Sequence, residues 1–484
     1  MLRDELKGEL VLPSDPGYRL ARQLQNTEYD SVTPYAVAYC ESHEDVLACV
    51  RHAQDSGVQA HVRGSGHSFN GWSTGTGLVI DLSRMNHAVA DGPAVRIGAG
   101  VQSLDALDTL GAQGRQIITG TFPTVSQGGF LTGGGLGWQT RKFGVASDRI
   151  LSARVVLADG RTVRACPDEH PDLYWALRGG GGGNFGIVTE FELRPVDAPL
   201  LTAFETLWSY EDAPGVLAAW QAWAAAASED LGTSLVVLPG MFGPGGKPIV
   251  KIWGVHHGAP EDLERALDEL TEAAGTKPVH REVGAPGAYA EVMHEALCGS
   301  KTVQQCHRTG THPDAIGHRH PYTRQAYRLT GRPVTRTEAE SLLGAWNPDL
   351  DNERYLLCIA LGGAANRVGR TETAYVHRDA QFLTGFQIAT RDEESAAQGP
   401  AELDEWADRC GAALAPLATG SYINFPSSRV PADWEGDHYA ENAPRLRDIK
   451  RAYDPEGFFR HGQSIGAGPA GAPGAHQTTK AAGR

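Results

Sequence analysis

The sequence predicts an α+β protein of two or three domains, and three features of its 484 residues carry that reading. A strand–helix–strand unit lies near the N-terminus, a strand hairpin follows further along, and composition changes around Pro195–Pro199. Past that change, Trp- and Ala-rich helical segments alternate with apolar strand candidates.

Residues 36–42 (AVAYCES) read as the first strand of the unit. Val46, Cys49, Val50 and Ala53 then recur at helical spacing, Ser42 and Asp45 are placed as a capping box, and Gly57 supplies the stop. Extended Gln59–Arg63 leads into the loop GSGHSFNGW, after which Leu78–Leu82 reads as another strand. In VVLADGRTVRA two strand-like arms flank Asp159-Gly160, a strong hairpin signal. Ile187–Leu193 is a further apolar strand. In the second domain, Ser234–Leu238, Tyr355–Leu361 and Gln381–Ala389 are strand candidates. The C-terminal run GAGPAGAPGAHQTTKAAGR is of low complexity and reads as disordered.

Composition excludes several functions. Acidic residues exceed basic ones, giving a formal charge of −15 spread along the chain, which argues against nucleic acid as a partner. The seven cysteines lack regular spacing, so neither a disulfide framework nor a zinc ribbon is expected, and most are read as buried thiols. Charges of both signs in MLRDELKGEL do not fit an export signal, and the longest apolar stretch, Val216–Ala227, is short of the ~20 residues that span a bilayer. The expectation is a soluble cytoplasmic protein, monomer or homodimer, from a GC-rich genome, as 35 Arg against eight Lys and the Ala, Gly and Pro content suggest. Cys298–His320 gathers four histidines and Cys306 without ordered ligand spacing, so it is read as a polar surface loop and no metal site is assigned.

Glycine is abundant, 59 residues in all, and three tracts stand out: Arg63–Ser68 (RGSGHS), Gly128–Gly137 (GGFLTGGGLG) and Gly179–Gly186 (GGGGGNFG). Without Cβ atoms, successive N–H groups in such tracts can converge on one anion, so a pyrophosphate could be held with few cations. A tight turn is the plainer reading of any single tract, and three of them weaken it. Neither a Rossmann fingerprint nor a Gly-Lys-Ser/Thr phosphate loop is present. An isolated His67 would be an ordinary loop histidine, but between Gly66 and Ser68 it stands beside whatever the nest holds.

With these residues in view, the sequence resembles the FAD-linked oxidases of the vanillyl-alcohol-oxidase superfamily, in particular the berberine-bridge-enzyme-like branch. VRGSGHS resembles that branch's flavin-attachment loop, and GTFPTVSQGGFLTGGGLGWQTRKFGVASDRI its second flavin segment. ADGRTV, DLYWALRGGGGGNFGIVTEFE and the C-terminal YINF with DPEGFF follow in the family's order. The resemblance implies a PCMH-type FAD-binding fold of two subdomains, over residues 1–196 and again 421–466. An antiparallel-sheet substrate domain covered by helices would occupy 197–420, with a disordered tail at 467–484.

It also implies roles for particular residues. His67 matches the histidine bonded to the flavin 8α-methyl group, and Arg63, Gly64, Ser65, Gly66, His67 and Ser68 match the pyrophosphate loop. Where bicovalent members carry a second, cysteinyl link, the motif here reads Gly120-Thr121-Phe122-Pro123-Thr124-Val125. Phe122 stands in place of the cysteine, so a single covalent link through His67 is expected, and with it a milder oxidant. Val125 matches a gatekeeper position associated with oxygen access. Gly128, Gly129, Gly133, Gly134, Gly135 and Gly137 would run close to FAD together with Thr121, and Gly186, Ile187 and Val188 would contact it. Asn424 matches an asparagine near the flavin, and Tyr422 a tyrosine that removes a substrate hydroxyl proton, with a buried core tyrosine as the plainer reading. Among Glu353, Tyr355, Tyr375 and Gln387 the sequence does not say which side chain faces the flavin.

The expected function is an FAD-dependent oxidase. A small-molecule substrate gives up hydride from a C–H bond alpha to oxygen or nitrogen, O2 reoxidises the flavin to yield hydrogen peroxide, and the product belongs to bacterial secondary metabolism. Oxidative cyclisation or a flavin-N5-oxide oxygenation on the same scaffold is the alternative. A degenerate member that only holds flavin is a third, disfavoured by the presence of His67, Val125 and Tyr422.

Overall fold

The computed structural model describes residues 2–320, 322–347, 353–389 and 400–466. The expected tail, 467–484, lies outside them. Glu9–Val11 (β1), Ala36–Tyr39 (β2), Ala60–Arg63 (β3) and Leu78–Asp81 (β4) form a sheet in the order β1-β2-β4-β3. β2, β3 and β4 are parallel, so β2 and β3 need a crossover, and helix His43–Ser56 provides it. Its start is the expected capping box of Ser42 and Asp45, and its end is Gly57 at φ 65°. Val46, Cys49, Val50 and Ala53 are buried against Ala36, Ala38 and Ile80 of the sheet.

Ala88–Asp91 (β5), Ala94–Gly98 (β6), Ile150–Val156 (β7), Thr162–Ala165 (β8) and Ile187–Leu193 (β9) make an antiparallel sheet in the order β5-β6-β9-β7-β8. The hairpin read at Asp159-Gly160 is β7–β8. Both sheets share one core, to which Trp434, Tyr439 and Leu446 of the C-terminal segment also belong.

The third sheet, of nine strands, contains Leu200–Ser209 (β10), Leu231–Leu238 (β11), Ile249–His256 (β12), His280–Val283 (β13), Gly287–Ala288 (β14), Thr323–Thr330 (β15), Arg354–Ala360 (β16), Phe382–Ala389 (β17) and Ala418–Gly420 (β18). Its pairings are antiparallel, in the order β13-β10-β12-β11-β16-β17-β15-β18 with β14 beside β10. Side chains alternate along each strand, so the register decides what each face presents. Leu356, Cys358, Phe382, Phe386 and Ile388 face a layer of helices, Ala213–Ala226, Pro260–Ala274, Arg336–Trp346 and Pro400–Leu414. Trp220, Trp346 and Trp406 fill that interface. The opposite face carries Tyr327, Leu329, Leu357, Ile359, Leu383 and Gln387. Mixed helices and sheets, with an antiparallel sheet under helices, are the expected fold class.

Two buried guanidinium groups secure the seam between that open face and the other sheets. Arg141 donates to the carbonyls of Leu361 (2.7 Å) and Ala227 (2.8 Å), and Arg378 forms a two-pronged ion pair with Asp148 at 2.7 and 2.8 Å. Trp138 donates to Ser234 at 3.0 Å across the same seam.

The cysteine reading needs one correction. Cys40, Cys49, Cys166, Cys358 and Cys410 are buried thiols as expected, but Cys298 and Cys306 are joined in a disulfide. It stands at the start of the segment expected to be a polar surface loop, and residues 299–320 do lie at the surface, with only Ala315 of them buried. His307 pairs with Asp105 at 3.1 Å, Arg308 donates to Gln23 (2.8 Å) and Leu24 (3.2 Å), and the backbone of His320 bonds with Gln25 and Thr27. Residues 298–320 are therefore a strap laid over the N-terminal segment; the individual polar residues belied it because their partners are distant in sequence. Among the described residues no helix is long and apolar enough to cross a membrane.

The C-terminal segment is clamped by Lys450 of helix Ala443–Tyr453, whose ammonium donates at 2.6 Å to Asn184 O, Phe459 O and the Asp454 carboxylate. Burial lowers its pKa, with Asp454 opposing the shift. Lys450→Met leaves a buried carboxylate and two carbonyls without their donor. The expected loss of stability is about 3 kcal/mol, read as the shift in urea unfolding midpoint at constant slope.

Candidate active site

Between the first two sheets and the open face of the third lies a cavity of about 430 Å³. The chain reaches its wall from many directions. Gly64–Ser68 follow β3, Thr121, Phe122, Val125, Gly128 and Gly129 come from the second tract and the turn before it, and Gly181–Val188 come from the third tract. Leu357, Ile359 and Gln387 contribute from the open sheet face, and Tyr422–Pro426 and Phe459–His461 from the C-terminal segment.

The first tract is built to receive an anion. The N–H groups of Gly64, Gly66, His67 and Ser68 find no acceptor among the described residues, whereas Ser65 and Ser126 exchange hydrogen bonds of 3.1 and 2.8 Å that fix the loop against the second tract. A Cβ on residue 64 would overlap the Ser126 hydroxyl, so that approach requires glycine. Also on the wall, Trp72, whose backbone N–H donates to the Ser68 hydroxyl at 3.0 Å, stacks on His461 with ring centres 5.9 Å apart, and among the described residues Arg460 is the one arginine there. Among the described residues the wall holds no carboxylate. Unpaired N–H groups and a largely apolar wall without a carboxylate among the described residues suit a dinucleotide such as FAD.

His67 stands at the side of the cavity with Phe122 edge-on to its ring, centres 5.1 Å apart. Its Nε2 is 2.8 Å from the Thr124 hydroxyl, while its Nδ1 has no protein partner among the described residues. Burial, aided by the positive charges of Arg308 and His320, pushes its pKa down to about 3. The imidazole is therefore neutral at physiological pH.

Tyr422 lines the cavity and is otherwise fully buried. Its oxygen accepts from the Gly135 N–H (2.8 Å) and the Asn424 side-chain amide (3.1 Å), and Asn424 also spans the Gly129 and Phe130 carbonyls at 3.2 Å. Burial raises the phenol pKa well above its usual value, opposed by those two donors and by the backbone at Leu136.

Of the residues expected to bind the cofactor, Arg63, Gly133, Gly134, Gly135 and Gly137 are not on the cavity wall. Arg63 is buried in an ion pair with Asp81 through Nε and donates from a second nitrogen to Ala21 O, both away from the cavity wall. Gly133 makes room for the Asn424 amide, Gly134 (φ 123°) for the Tyr375 ring, Gly135 for Phe130 and Gly137 for Thr119 O. These glycines seat the residues behind the wall. Gln387 does face the cavity, with Tyr327 donating to its Oε1 at 3.0 Å. Tyr355 is on the same sheet face but outside the cavity, bonded to Glu353 at 3.1 Å, and Tyr375 packs behind Tyr422 with ring centres 6.1 Å apart. Sequence reasoning missed Thr124, Ser126, His320, Thr323, Arg460 and His461. A hydroxyl two residues beyond the Phe122 position was the available signal for Thr124; the others become neighbours only through the fold.

Comparison with known proteins agrees with this geometry. Residues 34–165 match the family model "FAD binding domain" and residues 421–466 match "Berberine and berberine like". The chain is 30% identical to (R)-6-hydroxynicotine oxidase of Paenarthrobacter nicotinovorans over 95% of its own length and 97% of the relative's. It is 28% identical to the uncharacterized FAD-linked oxidoreductase YgaK of Bacillus subtilis, over 96% and 98%. Among solved structures it resembles glucooligosaccharide oxidase from Acremonium strictum, a protein with 6-S-cysteinyl, 8α-N1-histidyl FAD, at a TM-score of 0.83, 26% identity and coverage of 95% and 97%. With the match to its two family segments, the near-complete overlap with an oxidase at 30% identity and the shared fold, the chain belongs to the berberine-bridge-enzyme-like FAD-linked oxidoreductases.

Proposed function

We propose that this oxidoreductase is an oxidase whose FAD is tethered by one covalent bond, through His67, and whose substrate is a small molecule carrying an oxidisable C–H bond beside oxygen or nitrogen. The observation that carries the reading is the neutral His67 imidazole, its Nδ1 open, adjoining a nest of unpaired N–H groups. Bound FAD supplies the hydride acceptor and the site of reaction with dioxygen.

The protein's own groups would divide the remaining work. The first two sheets and residues 421–466 hold the cofactor, and residues 197–420 supply the substrate wall. Leu357 and Ile359 orient an apolar skeleton, and Gln387, its oxygen engaged by Tyr327, offers an amide N–H to a substrate oxygen. Such a wall suits the secondary metabolite expected from sequence. Tyr422, as the phenolate that Gly135 N–H and Asn424 stabilise, takes the substrate hydroxyl proton and becomes the phenol. Phe122 occupies the place of a second tether. Val125, its carbonyl fixed by Ser103, sets the access of oxygen.

Aerobic turnover of alcohol and amine panels under labelled dioxygen tests the reading. One peroxide per substrate oxidised with no label in the product is expected; label in the product supports the oxygenation alternative instead. If Tyr422 is the base, its raised pKa makes kcat/KM climb with pH between about 6 and 9, because the active phenolate is the minor form below that pKa. Tyr422→Phe should flatten this profile and lower kcat by on the order of a hundredfold while flavin content is unchanged.

A further inference from the structure

We infer that Thr124 is the positioning residue for flavin attachment: its hydroxyl holds the His67 imidazole by Nε2 and can accept the Nε2–H of the tautomer that is nucleophilic at Nδ1. This rests on the proposal that His67 carries the flavin.

Thr124 is buried and rigidly presented. On either side of it, the carbonyls of Pro123 and Val125 accept the N–H groups of Leu104 and Ser103 at 3.0 and 2.9 Å, at the start of helix Ser103–Gly111. That arrangement aims its Oγ1 at His67 Nε2, 2.8 Å away. A neutral imidazole carries its proton on one nitrogen only, and the hydrogen bond at the other end decides which. The Thr124 hydroxyl can accept from Nε2–H, and in that tautomer the lone pair is on Nδ1, the nitrogen without a protein partner among the described residues.

The chemistry then balances around this pair. His67 Nδ1 forms a C–N bond to the 8α carbon, one C–H bond of that methyl group breaks, and the Nε2 proton is lost. Both hydrogens and both electrons remain in the reduced ring system until dioxygen removes them as hydrogen peroxide. In the product Nε2 holds a lone pair, so Thr124 changes from acceptor to donor on the same nitrogen. A hydroxyl can make that change and a methyl group cannot. Arg308, placed by its bonds to Gln23 and Leu24, and His320 add positive charge near the imidazole, which disfavours the imidazolium that would have no lone pair to offer.

The experiment uses apoprotein made under riboflavin limitation and loaded with FAD. The rate at which flavin becomes resistant to acid precipitation is followed at several pH values, beside total bound flavin. Thr124→Val should bind FAD but attach it on the order of a hundredfold more slowly, and Thr124→Ser should restore the wild-type rate. Thr124→Ala removes the hydroxyl without filling its space and should match the valine variant, which guards against a packing defect. Equal attachment rates in wild type, Thr124→Val and Thr124→Ala contradict the role of Thr124 alone. Acid-soluble flavin in the wild type contradicts the His67 linkage itself, and the tautomer proposal with it.

Discussion

The site depends on an absence of side chains at Gly133–Gly135. Asn424, Tyr375 and Phe130 stand where Cβ atoms would otherwise be, and a Cβ on residue 134 would lie 2.8 Å from the Tyr375 ring. Gly134 and Gly135 also have φ of 123° and 84°, which other residues adopt only under strain. Because the tract is bare, the C-terminal segment can bring Tyr422 and Asn424 against it, and Gly135 N–H can reach the Tyr422 oxygen. The same contact joins parts of the chain distant in sequence: the second glycine tract, the connection between β16 and β17 that carries Tyr375, and the segment after β18 meet at one point. Glycine excess in this protein is thus a packing requirement at least as much as a cofactor requirement.

Electrostatics follows from that packing. A chain of net charge −15 has to accept an anionic dinucleotide, and its cavity wall, over the described residues, offers Arg460 and no carboxylate. The remaining attraction would come from the backbone N–H groups of Gly64, Gly66, His67 and Ser68, which carry fixed partial positive charge and need no counterion. Acidic side chains are engaged elsewhere, as Asp81 with Arg63 and Asp148 with Arg378. Arg63, the charged member of the first motif, directs two of its nitrogens to Asp81 and Ala21 O and is not on the cavity wall.

Much of this was legible in the sequence where the signal is local. The capping box at Ser42, the stop at Gly57 and the Asp159-Gly160 hairpin are determined by neighbours a few residues apart, and each forms as read. The glycine tracts and His67 were visible as motifs and converge on one cavity. The substrate wall was not. Tyr355, Leu357 and Ile359 alternate with Leu356 and Cys358, but both sets are largely apolar, so no polarity contrast told which face looks inward; only the register with β17 decides it. The strap at 298–320 was hidden for a related reason, since Asp105, Gln23 and Leu24 lie far away in sequence. Likewise, Gly133 to Gly137 could be recognised as close-approach positions, but not what approaches them.

The central claim is that one imidazole, and nothing at the Phe122 position, joins the protein to its cofactor. Mass analysis of a tryptic digest of the native holoprotein tests it most directly. The account predicts a single flavin adduct on the peptide Gly64–Arg84, localised to His67, with the Phe122 peptide Gln116–Arg141 unmodified. A flavin adduct on any other residue, or a Gly64–Arg84 peptide without one, would contradict it.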